Sequence, residues 1–119
     1  MERFAFGADA AFAPFDDRLI GVTLAPLTSS LAQGAPFQAA VFRLAPGGRI
    51  ARHRADVPQV LAVLEGAGEV SGEDGVAEPI TAGEAVFWAE GEEHATASVD
   101  GLTALIVEGP GLDRFRRSP

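Results

Sequence analysis

The chain has no cysteine, which excludes disulfides, thiolate metal sites and cysteine nucleophiles. It has no tyrosine, so phenolic acids and bases are absent as well. It also has no lysine, and all nine basic residues are arginine. Against 17 acidic residues they leave a net charge of −8, which repels phosphate backbones and argues against nucleic acid as a partner. No apolar run approaches the ~20 residues that a membrane-spanning helix needs, so no membrane partner is expected. Glu2, Asp9, Asp16 and Asp17 interrupt any signal-peptide pattern, and cytoplasmic residence is the expectation. What remains is a chain of 119 residues, 47% hydrophobic, long enough for one core but not for two.

The apolar pattern has the period of strands. Residues 1–16 are rich in Ala and Phe without clean periodicity and read as an irregular arm whose rings pack on the rest. Strands are predicted at 18–24, 37–44, 49–55, 59–65, 69–71, 76–80, 85–89, 94–99 and 102–108. Between them, 27–36 reads as a loop, Pro46-Gly47-Gly48 and Asp56-Val57-Pro58 as turns, and Asp74-Gly75 and Asp100-Gly101 as hairpin signals. Short strands separated by turn residues, with no amphipathic helical stretch, indicate an all-β sandwich or barrel. Residues 1–36 then form an arm with the first strand, 37–108 the barrel core, and 109–119 a tail.

The chain has only two histidines, and each lies in a glycine-framed segment. Gly47 stands six positions before His53, Gln59 six after it, and Gly66 closes the run. Gly83, Gly91 and His94 frame the second segment. These spacings resemble the two motifs of the cupin superfamily, G-x5-H-x-H-x3-E-x6-G and G-x5-P-x-G-x2-H-x3-N. Here Ala55 takes the place of the second histidine, Gln59 that of the glutamate, Ala89 that of the proline and Ser98 that of the asparagine. The resemblance covers roughly residues 37–108 and implies a small single-domain cupin, a jelly-roll β-barrel.

Cupins gather three histidines and a glutamate on one metal inside the barrel mouth. Carried over by position, the resemblance implies His53, Gln59 and His94 as metal ligands, a neutral set suited to weak binding of Fe, Mn, Ni, Zn or Cu. Three readings stay open. A divalent metal binds these residues, with Ala55 leaving a position for water or a substrate oxygen. Alternatively the site is metal-free, and His53 or His94 is a catalytic acid or base. In the third reading the histidines only hydrogen-bond inside a non-catalytic barrel that holds a small molecule or serves as a sensor. The expected partner is in every case a small-molecule ligand or substrate. Gln59 cannot accept a proton at neutral pH, which disfavours dioxygenases whose glutamate doubles as a base. The missing tyrosine disfavours the metal-free sugar epimerases of this fold. Isomerase, lyase or oxygenase chemistry on a small polar molecule is what the resemblance leaves.

Other residues carry two readings each. Arg49, Arg52 and Arg54 flank His53, either as a solvated strand edge that discourages sheet pairing or as guanidinium groups for a ligand's carboxylate or phosphate. Glu90, Glu92 and Glu93 precede His94 as turn residues or as a source of an acid or a replacement ligand. Phe87 and Trp88 alternate, so only one of them can face the cavity, and Trp88 is either a cavity wall or plain core packing. Val60, Ala62 and Leu64 form an apolar outer row, and a homodimer is expected to cover it.

Overall fold

The computed structural model describes residues 1–28 and 37–117. Seven strands form it: β1 (Leu19–Pro26), β2 (Gln38–Arg54), β3 (Gln59–Ser71), β4 (Glu78–Thr81), β5 (Ala85–Trp88), β6 (Glu93–Ala97) and β7 (Leu102–Glu108). Among the described residues the only helical piece is one 3-10 turn, Ala8–Ala10. The fold is all-β, a closed barrel with additional strands, as the strand periodicity implies. Of the loop expected over 27–36, residues 29–36 lie outside the described residues.

Two long strands close the barrel. The segments expected as separate strands at 37–44 and 49–55 are one strand, β2, and those at 59–65 and 69–71 are one strand, β3. The first halves of β2 and β3 pair with β7, and their second halves pair with β6. Each long strand therefore belongs to both faces of the barrel and bends between them. The bends fall at glycines: Gly47, which reads as part of a turn, has φ 81°, and Gly66, which closes the first histidine segment, has φ 82°. Glycine reaches this backbone region without steric cost, which lets a strand turn a barrel corner while its ladder continues. A side chain at Gly66 would run into the Gly101 carbonyl.

The corner also corrects one hairpin expectation. Asp74-Gly75 does join the antiparallel neighbours β3 and β4, with Gly75 N–H donating to the Gly72 carbonyl at 3.0 Å. Asp100-Gly101, in contrast, joins β6 to β7, and these strands pair with β2 and β3 rather than with each other. The turn carries the chain across from one face to the other. Ser98, at the asparagine position of the second motif, holds it: Ser98 Oγ donates to the Ala67 carbonyl at 2.6 Å and accepts from Gly101 N–H at 2.8 Å.

Inside, the core is built from Val22, Leu44, Ile50, Leu61, Val63, Val70, Ile80, Trp88, Leu102, Ala104 and Ile106. Burying each larger side chain contributes about 1.5–3 kcal/mol. The N-terminal arm is outside this core. Its rings do not pack as expected, since Phe4, Phe6, Phe12 and Phe15 are exposed. Backbone bonds fix the arm instead, through a reciprocal bridge between Phe12 and Leu24 at 3.0 and 2.9 Å.

Gly66→Ala is expected to lower the unfolding free energy by roughly 2–6 kcal/mol, the sum of backbone strain and overpacking. Gly83 has φ 92° with open space around a built Cβ, so Gly83→Ala isolates the strain and costs about 1–3 kcal/mol. Urea unfolding of the two variants beside the parent measures the difference.

Candidate functional site

His53 and His94 face each other across the β2–β6 ladder as direct partners. A strict period of two would turn His53 away from the interior position Ile50, three residues earlier. A bulge between Ile50 and His53 shifts the register by one residue and turns both inward. The two imidazole centroids are 4.2 Å apart, tilted by 55°. On its other side His94 lies against Trp88, with centroids 4.5 Å apart. Trp88 is 1% exposed and its indole N–H donates to the Ser71 carbonyl at 3.1 Å, so it forms a fixed wall behind His94.

Each ring is oriented by a backbone carbonyl two residues before it. His53 Nδ1 lies 2.8 Å from the Ala51 carbonyl and His94 Nδ1 lies 3.2 Å from the Glu92 carbonyl. A carbonyl only accepts, so in both rings the proton sits on Nδ1 and the lone pair on Nε2. His94 Nε2 is buried and has no hydrogen-bond partner among the described residues. Burial pushes the His94 pKa below its ordinary value of 6.5, and the neighbouring His53 adds to the effect.

Gln59 joins the histidines from β3. It lines the same cavity, of about 200 Å³, together with His53, His94, Leu19, Leu24, Phe42, Ile50, Thr96 and Ile106. Glu108 at the end of β7 lines it too, and sequence reasoning did not single it out. It is the direct ladder partner of Gln59, whose side-chain NH2 donates to Glu108 Oε2 at 3.1 Å. Alternation along β7 places Glu108 on the inner face with Ile106 and Ala104, and that is the signal by which the sequence could have found it.

The mouth is formed by Pro14, Asp16 and Arg18, which come from the segment before β1. The Arg18 guanidinium grips Asp16 through Nε at 3.0 Å and Nη2 at 2.6 Å. This contact holds the Asp16 carboxyl down to about 2.

Several expected participants are elsewhere. Ala55 is buried but does not line the cavity; its backbone exchanges hydrogen bonds with Gly91 and Glu92, tying the two motif segments together. Arg49, Arg52 and Arg54 are not in the lining either. Arg52 donates to the Gly72 and Glu73 carbonyls at 3.0 and 2.9 Å and so braces the turn after β3, a role that neither reading gave it. Glu90, Glu92 and Glu93 stay out of the cavity, and Glu92 Oε1 accepts from Ala89 N–H at 2.9 Å as a turn cap. Among the described residues no three His, Asp or Glu side chains gather to hold a metal. Beside the two imidazoles the lining offers side-chain oxygens from Asp16, Gln59, Thr96 and Glu108.

A cupin-domain family model matches residues 40–108, more than half of the chain. The chain belongs to the cupin family. No curated protein is similar enough in sequence to match this cupin. Among solved structures it is similar to the polyketide cyclase RemF from Streptomyces resistomycificus, at 23% identity and a TM-score of 0.79, over 92% of this chain and 79% of that one. An RmlC-like cupin from Shewanella frigidimarina matches at 21% identity and a TM-score of 0.74, over 95% of both chains. A predicted oxalate decarboxylase from Thermotoga maritima matches at 22% identity and a TM-score of 0.72, over 90% of this chain and 99% of that one. At these identities the likeness is one of fold.

The lowered His94 pKa fixes the sign of a pH dependence. The unfolded state takes up the His94 proton near 6.5 while the folded state takes it up only at lower pH. This contribution is intact above 6.5 and is lost as pH falls from there through the folded pKa. Asp16, also depressed, loses its contribution only below its ordinary 3.8, in a separate window. Urea unfolding in steps from pH 8 to pH 4.5 is expected to show stability falling below 6.5, with a shallower fall in His94→Gln.

Proposed function

We propose that this cupin binds a divalent transition metal weakly through Nε2 of His53, Nε2 of His94 and the side-chain oxygen of Gln59, and uses the site on a small polar molecule. The observation that carries the reading is the buried Nε2 of His94, a lone pair without a donor in the wall of a cavity. An orphaned acceptor of this kind costs about 1–3 kcal/mol unless something meets it. The two Nδ1–H···O=C contacts add support, because a ligating histidine characteristically gives its second nitrogen to such a carbonyl. The donor set suits a borderline metal such as Zn, Fe, Ni, Cu or Mn, and the neutral amide makes binding weaker than a carboxylate would.

Bound there, the metal supplies Lewis acidity toward a substrate oxygen. The chain's own residues do the remaining work. Leu19, Leu24, Phe42, Ile50 and Ile106 give the cavity apolar walls that limit water, and its size admits only a small substrate. Gln59 cannot take a proton, and with Nε2 on the metal and Nδ1–H on a backbone carbonyl neither imidazole has a lone pair left to take one, so of the groups in the lining the Asp16 and Glu108 carboxylates are those that would hold or move one. These features support isomerase or lyase chemistry on a small carbonyl compound or hydroxy acid. The competing class is a non-catalytic sensor cupin, favoured by the loss of strong donors at positions 55 and 59.

Elemental analysis of untagged protein after reconstitution separates the classes. The expected result is near-stoichiometric metal in the parent and a large loss in both His94→Ala and Gln59→Ala. A reconstituted parent without metal would remove the metal reading and leave the metal-free site and the non-catalytic sensor.

We also propose that two copies pair through the outer face of the sheet. In support, Leu105 and Val107 of β7 lie in register with Ala62 and Val60 of β3, and Val60 with Phe87 of β5, so an apolar patch continues across three strands. Light scattering is expected to give a dimer for the parent and a monomer for Leu105→Arg; a monomeric parent defeats the idea.

A further inference from the structure

We propose that Glu108 is a positioning residue of this site: it holds the Gln59 amide with its NH2 turned to β7 and its oxygen left for a divalent cation, and it supplies the negative charge that the ligand set lacks. The inference rests on the metal reading above and assigns a role to a residue outside both histidine segments.

The geometry begins with the ladder. Gln59 and Glu108 are direct partners on β3 and β7, and on the far side of β3 Gln59 is the partner of Trp88. Glu108, Gln59 and Trp88 thus stand in one inward row, with His94 stacked on the ring that ends it. The Gln59 NH2 donates to Glu108 Oε2 at 3.1 Å.

The chemistry of the pair decides the amide's orientation. An ionised carboxylate only accepts hydrogen bonds, whereas an amide has a donating and an accepting end. With Glu108 beside it, the nitrogen end of Gln59 must face β7, and the oxygen is the end left over. A glutamine without such a partner would present either end, and NH2 is no metal ligand. The contact therefore converts an ambiguous side chain into an oxygen donor.

Charge makes the second half of the case. Four ionisable side chains besides His94 line the cavity: Asp16, Arg18, His53 and Glu108. Asp16 and Arg18 neutralise each other at the mouth. Glu108 has no salt-bridge partner among the described residues. Two neutral imidazoles and an amide leave a divalent ion's charge uncompensated, and Glu108 offsets part of it one hydrogen bond away. In effect the carboxylate that the cupin motif places on β3 stands on the neighbouring strand.

The test uses Co2+ as the probe and the full chain. Calorimetric titration of the parent, Glu108→Gln and the exchanged pair Gln59→Glu/Glu108→Gln reads the charge and the orientation together. Glu108→Gln is expected to weaken Co2+ binding about tenfold, the loss typical of an outer-shell partner. The exchanged pair keeps total charge and both side-chain sizes, returns the carboxylate to β3, and is expected to restore affinity at least to that of the parent. Equal affinity in the parent and Glu108→Gln overturns the proposal, as does an exchanged pair no tighter than Glu108→Gln.

A second readout does not need metal. The chain has no asparagine and only three glutamines, Gln33, Gln38 and Gln59, so a nitrogen–proton correlation spectrum holds three side-chain amide pairs. The Gln59 pair, identified by its loss in Gln59→Glu, is expected to have one proton shifted downfield in the parent, with the shift lost in Glu108→Gln. Unchanged Gln59 signals overturn the proposal whether or not metal binds. Failure of the metal reading alone has a different signature: no Co2+ binding in the parent, with the Gln59 signals still responding to Glu108→Gln.

Discussion

The structure depends on β2 and β3 each passing through both faces of the barrel. A strand confined to one face would leave the two halves of the sheet joined only by loops. Because each long strand pairs with β7 along its first half and β6 along its second, the hydrogen-bond network closes on itself. Closure leaves β2, β3, β6 and β7 without a free edge, so that only β1, β4 and β5 end the sheet, and it fixes the register on both sides of each bend. The inward aim of His53, Gln59, His94 and Glu108 is a consequence of that register, since each sits opposite a ladder partner that also faces in.

The site itself is assembled from local rules. Each imidazole is turned by a backbone carbonyl two residues earlier, and His94 is further confined between Trp88 and His53. No part of this orientation requires a ligand. The polar groups are therefore arranged in advance, with Nδ1 of each ring satisfied by the fold and Nε2 of His94 left without a partner. The Ala55 backbone, bonded to Gly91 and Glu92, does the work of joining the two motif segments while its side chain stays out of the cavity.

Strand periodicity and two motif spacings were enough to read the fold class, the cupin family and the inward placement of the histidines and Trp88. What the sequence concealed has physical causes. Glycine pairs such as Gly47-Gly48 mark a chain reversal and a bent continuous strand equally well, because both need the same backbone region. Asp100-Gly101 reads as a hairpin because turn chemistry is local, whereas the partners of β6 and β7 are set by distant segments. The bulge before His53 could not be counted from side-chain alternation. Glu108 escaped notice because its partner is 49 positions away in the chain, and a cross-strand pair leaves no trace in short-range spacing. The arm rings were expected to pack because phenylalanine is apolar, yet the arm is held by backbone bonds and leaves them exposed.

Trp88 is the chain's only tryptophan, and with no tyrosine present it is the sole source of ultraviolet emission above that of phenylalanine. Its ring lies against His94 in the wall of the cavity. The protein consequently carries an intrinsic optical reporter beside the candidate site. A paramagnetic ion, a stacked aromatic ligand or a proton arriving on His94 would each alter its brightness or colour without any label being attached.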